Sequence, residues 1–145
     1  MTTATVIRWS PVDHAPELPL SAFNLIWSSS GSLILQGLYP TELNPPTKGI
    51  VLSFSNTYAF MSFDEFSDYL NGMKVEVPAL VKPVPYGGCW PFLEVLGSPW
   101  LREVVERNGT LAVTDFRHWV IVARNHTLHV MEHSRSAPTF EGWLQ

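Results

Sequence analysis

The stretch "DFRHWVIVARNHTLHVMEHS", residues 115–134, decides the fold: two apolar, β-favouring runs flank a short polar break, and four of the chain's five histidines lie within it. Side-chain alternation puts Phe116, His118, Val120 and Val122 on one face of the first run, and Arg117, Trp119, Ile121 and Ala123 on the other. Both faces are largely apolar, the pattern of a strand covered on two sides. The stretch therefore predicts a closing β-hairpin whose first strand is central to a sheet. A two-residue turn at Asn125-His126 pairs His118 with His133, whereas a three-residue loop sets His118 opposite Glu132. His126 belongs to the turn in either case. His129 and His133, four residues apart in a strand, are separated by about 13 Å at ~3.3 Å per residue and cannot share an ion. With at most two ligands brought together, no metal site is expected.

Upstream, "SPWLREVVERNG" reads as a helix. Ser98 accepts the first unpaired N–H groups, Pro99 suits the first helical position, and Trp100, Leu101, Val104 and Val105 form one apolar stripe that Gly109 ends. "FLEVLG" before it reads as a short strand. Two runs around "SSSGS", from Phe23 to Tyr39, predict a hairpin; "TELNPPTKG" is a loop, and "GIVLSFSNTYAF" is the longest β-favouring run. "SFDEFSDYLNG", residues 62–72, switches to helical spacing, with Ser62 and Glu65 as a capping box. The prediction is an α+β domain: a mainly antiparallel sheet of about six strands, one or two short helices and the C-terminal hairpin. Residues 1–22 read as an extended arm holding Pro11, Pro16 and Pro19 with one early strand in "TATVIRW", residues 23–134 as the domain, and 135–145 as a tail.

At 145 residues the chain has the size of one domain. Only 15% of its residues are charged against 46% hydrophobic, less charge than a typical soluble domain carries, which leaves room for an adhesive face. A net charge of −4 with no basic run argues against nucleic acid as a partner. The absence of a long apolar run argues against a membrane span, and a single cysteine, Cys89, fits a reducing cytoplasm. No cofactor motif is present.

Three groups of residues carry candidate chemistry. The segment "YGGCWPF" resembles the nucleophile segment of transglutaminase-like and papain-like enzymes. "HWVIVARNHTLH" resembles the paired strands of bacterial cell-wall endopeptidases of the papain-like class. Those resemblances imply Cys89 as nucleophile, His118 as general base and His129 as orienting group. Such chemistry needs a thiolate, normally made at a helix N-terminus beside an imidazolium, and the helix here begins only at Ser98. Trp90, Trp100 and Trp119, with His118, are the candidate binding residues, as aromatics able to form a contact surface. Residues 50–133, through "LSFSNTYAF", "WPFLEVLGSPWLREVVERNG" and "FRHWVIVARNHTLHVME", also resemble a loose group of small uncharacterised bacterial proteins, which implies a scaffold without a known activity.

These observations favour a small cytoplasmic protein that works by binding another protein, with no catalysis of its own, homodimerisation through an open sheet edge or an apolar face being the simplest form. The alternative is a cysteine hydrolase or acyl transferase using Cys89 and His118. A small-molecule pocket between sheet and helix is a third expectation, without an identified ligand.

Overall fold

A computed structural model describes residues 4–64, 70, 75–85 and 87–145. Among the described residues nine strands run in chain order: β1 (Thr5–Arg8), β2 (Ala22–Ser28), β3 (Ser32–Leu38), β4 (Gly49–Phe54), β5 (Thr57–Asp64), β6 (Phe92–Leu96), β7 (Phe116–Val122), β8 (His126–His133) and β9 (Thr139–Leu144). One helix, α1 (Pro99–Glu106), lies between β6 and β7. The strands form two antiparallel sheets, ordered β1-β6-β7-β8-β5 and β2-β3-β4-β9. The mainly antiparallel expectation holds, and β7 is the central strand of its sheet. Two sheets replace the expected single sheet of about six strands, and the fold is more nearly all-β than the expected α+β.

The difference arises where the sequence looks most continuous. "GIVLSFSNTYAF" is two strands in different sheets, separated by a corner at Ser55 and Asn56. The Thr57 amide donates to the Gly31 carbonyl at 2.9 Å, and the Asn56 amide to Glu132 Oε2 at 3.3 Å, so both sheets hold the corner. Hydrophobic pattern alone does not reveal such a break, because both strands are apolar on their core sides. Ser62, Phe63 and Asp64 continue β5, so Ser62 is a strand residue and no helix cap. The rest of that expected helix, apart from the buried Leu70, lies outside the described residues.

Leu33, Leu35, Ile50, Leu52 and Phe54 of the smaller sheet share one hydrophobic cluster with Phe92, Ile121, Leu128 and Val130 of the larger. All nine are fully buried. Both chain ends enter this framework. β1 pairs with β6, Leu20 is fully buried beside Ala123, and the Arg8 guanidinium binds Glu17 through two hydrogen bonds of 2.7 and 3.0 Å. The segment read as a tail supplies β9, which pairs with β4 across a bulge at Val51 and Leu52. The arm and the tail are thus elements of the sheets. Between β3 and β4 the backbones approach so closely that a Cβ on Gly49 would sit 2.1 Å from the Gly37 carbonyl oxygen. No side chain fits there.

α1 forms as its sequence predicts. Ser98 Oγ accepts the Leu101 amide at 3.2 Å, Pro99 opens the first turn, and Glu103 pairs with Arg107 at 2.9 Å on the exposed side. Trp100, Leu101 and Val105 pack on Phe116 and Met131 of the larger sheet, a second and smaller cluster separate from the inter-sheet core. Burying each of those side chains contributes about 1.5–3 kcal/mol, and the cap adds about 1.

Candidate functional site

The register of β7 and β8 sets the chemistry of the face beneath α1. The Ala123 amide donates to the His126 carbonyl at 2.9 Å, so Arg124 and Asn125 are the two turn residues, and His126 opens β8. This pairs His118 with Met131 and Val120 with His129. Both expected pairings, with His133 and with Glu132, are therefore incorrect. The cause is tertiary. The Arg124 amide donates to the Leu20 carbonyl at 3.1 Å and Arg124 Nη1 binds Glu42, which fix Arg124 in the turn. Asn125 does not take the left-handed conformation that a favoured Asn-initiated hairpin turn needs.

This register puts His129 diagonally across from His118 on the same face, within side-chain reach. His118 Nε2 lies 2.8 Å from His129 Nδ1, and His118 Nδ1 lies 2.8 Å from Ser98 Oγ. His118 and His129 are fully buried and Ser98 is 2% exposed. Ser98 Oγ accepts the Leu101 amide and also meets His118 Nδ1, where the tautomer of His118 decides which atom donates. With Ser98 as donor, His118 carries its proton on Nε2 and donates to His129 Nδ1. One line of hydrogen bonds thus runs from the helix start to the second strand. Burial first, and His129 second, hold His118 well below the usual imidazole range. Trp100 stands edge-on to His118 at 4.9 Å between centroids and to His129 at 6.3 Å; Phe63 meets His129 at 6.1 Å. The pair is hydrogen-bonded to itself, and no group of three metal-binding side chains occurs among the described residues.

Cys89 lies in the loop before β6, bridged to Ala79, and is partly exposed. Both ring nitrogens of His118 are engaged, one by Ser98 and one by His129. The structure therefore brings together two of the three residues read as catalytic and puts Ser98 in the third place. Sequence reading assigned Ser98 only to the helix cap. The signal that could have joined it to His118 is its position at the end of β6, whose Val95 is the cross-strand partner of His118.

The three tryptophans read as binding residues are buried. Trp90, 1% exposed, donates from Nε1 to the Trp9 carbonyl at 2.7 Å beneath Arg8, Trp119 packs edge-on against Trp9 at 5.0 Å, and Trp100 covers the histidines. The exposed tryptophan is Trp27, on β2, at 44%. On the opposite face of the larger sheet, Arg117 holds Glu94 with bonds of 2.7 and 2.9 Å, while burial pushes the Glu132 carboxyl above its usual range. An open cavity of about 690 Å³, lined by Tyr39, Thr41, Glu42, Thr47 and Lys48, lies at the loop end of the smaller sheet, away from α1. No helix among the described residues is long and apolar enough to cross a membrane. Compared with known protein families, curated proteins and solved structures, the chain gives no significant match.

Proposed function

We propose that the protein works by binding another protein chain, and that its simplest partner is a second copy of itself. One observation carries this reading: β2 is an unguarded edge. Among the described strands it has β3 as its only neighbour, its register with β3 runs unbroken from Ala22 to Ser28, and Ile26 is 55% and Trp27 44% exposed. Edge strands are ordinarily protected by charge, proline or a bulge; from Leu20 to Ser32 this chain has no charged residue and no proline. Two copies related by a two-fold axis pair antiparallel, and a centre at Leu25 pairs all seven residues, with Phe23 opposite Trp27 and no like charges opposed. The lone cysteine supports a reducing, cytoplasmic setting, and the resemblance to small uncharacterised bacterial proteins implies a fold without a known activity. Size-exclusion chromatography with light scattering tests the reading. A dimer that Ile26→Lys converts to a monomer supports it, and a wild-type monomer at every concentration refutes self-association.

A second reading, cysteine hydrolase or acyl transferase through Cys89 and His118, needs the thiol to reach the His118 nitrogen that Ser98 holds. Iodoacetamide labelling of Cys89 against pH tests it, because a thiol reacting only above about pH 8 is an ordinary one.

A further inference from the structure

We propose that Ser98 is the nucleophile of a closed acyl-transfer site, with His118 as its general base and His129 as a positioning residue, acting on small uncharged esters or thioesters. The inference is independent of self-association, and it gives Ser98 the role that the second reading gave to Cys89. A nucleophile–base–orienter constellation is recognised by its bonds rather than its place in sequence. Here the hydroxyl lies at one nitrogen of the base, to which it donates when His118 carries its proton on Nε2, and the other nitrogen is held by a third residue, each at 2.8 Å. Neutral His118 is in the form a general base requires. The flanking side chains, Trp100, Phe63 and Met131, are apolar, which selects against charged substrates. Pro99 has no N–H and that of Leu101 is spent on Ser98, so the Trp100 amide is the first-turn donor left for a developing oxyanion.

The chemistry balances without a cofactor. Ser98 Oγ bonds to the acyl carbon as its proton passes to His118 Nδ1; when the carbon–oxygen or carbon–sulfur bond breaks, that proton leaves with the alcohol or thiol. Water then attacks the acyl-serine, gives a proton to His118 Nδ1, and the acid departs as Ser98 recovers its hydrogen. Entry requires Trp100 to move, because it stands over both rings while Ser98 is almost fully buried. The small cluster beneath α1 is separate from the main core, so the helix can open locally at less cost than global unfolding.

Diisopropyl fluorophosphate, with intact-mass measurement and peptide mapping, tests the site on the full chain. The expected result is one adduct, on Ser98, absent in Ser98→Ala, about tenfold faster in Trp100→Leu and about a hundredfold slower in His118→Gln. His129→Asn, which keeps an acceptor, retains most of the rate; His129→Leu lowers it and moves the acid limb of the pH profile upward. No Ser98 adduct in folded wild type and folded Trp100→Leu overturns the proposal, as does unchanged labelling in His118→Gln. Should Trp100→Leu fail to fold by circular dichroism, prolonged labelling of the wild type decides alone. An adduct elsewhere in the chain but not on Ser98 also overturns it.

Discussion

The two buried layers of this molecule are made differently. Between the sheets, Leu33, Leu35, Ile50, Leu52 and Phe54 meet apolar partners. Beneath α1, three polar side chains, Ser98, His118 and His129, are buried alongside Trp100, Phe116 and Met131. An apolar layer depends on volume and shape and is indifferent to pH. A polar one holds only while each donor keeps its acceptor and His118 stays neutral, since a buried polar group left unpaired is costly. The layer beneath α1 is therefore a polar network, whereas the inter-sheet layer is mainly apolar, with Glu132 as a buried carboxyl raised above its usual range on that face.

The strongest way to break this comparison is truncation in the apolar layer. Leu52→Ala is expected to cost about 3 kcal/mol in urea unfolding, at any pH; a cost that changes with pH would erase the distinction. Next comes His118→Leu, at about 2 kcal/mol, because it removes the hydrogen bonds that Ser98 Oγ and His129 Nδ1 make to the ring. Adding Ser98→Ala to it should cost less than the sum of the two single changes, since the second removes a group whose bond to the ring the first had already broken. Additive costs would mean that the three side chains do not act as one network.

The pH response sharpens the contrast further. His118 has a lowered pKa in the folded chain, so the unfolded chain binds its proton first as pH falls. The stability it contributes is complete above about pH 6.5 and is lost below it, by at most ~1.4 kcal/mol per pH unit. Unfolding followed by tryptophan fluorescence should show that limb in wild type and in Leu52→Ala. The same limb undiminished in His118→Leu would assign it to another group. The smallest effect is expected at the exposed edge. Ile26→Lys should change monomer stability by less than about 0.5 kcal/mol, so loss of the dimer without loss of the fold separates surface from core.

Much of the architecture was legible because local and tertiary preferences agree. The β2–β3 hairpin, β6, the Ser98-capped helix and the central position of β7 all follow from period, caps and turn residues. What escaped was set by partners far away in sequence. The β4–β5 corner depends on Gly31 and Glu132, and the β7–β8 turn depends on Leu20 and Glu42. That turn decided the site, because moving it by one residue changed the partner of His118 and brought His129 beside it. Ser98 was legible as a cap and hidden as a partner of His118, since pairing between β6 and β7 is what joins them. Burial was the least legible property: Trp90, Trp100 and Trp119 read as surface candidates, yet they fill the interior, while Trp27 beside the "SSSGS" turn is the one exposed.

The placement of β9 also bears on how the chain is made. Its partner β4 leaves the ribosome long before it, so the β2–β3–β4 meander must stand in the nascent chain with both margins bare. β1 likewise waits for β6. Sheet closure at both places is a late, long-range event, typical of topologies that fold in milliseconds to seconds. During synthesis the apolar Ile50 and Leu52 row has no neighbour on the β9 side, and this interval is when a chaperone has most to protect.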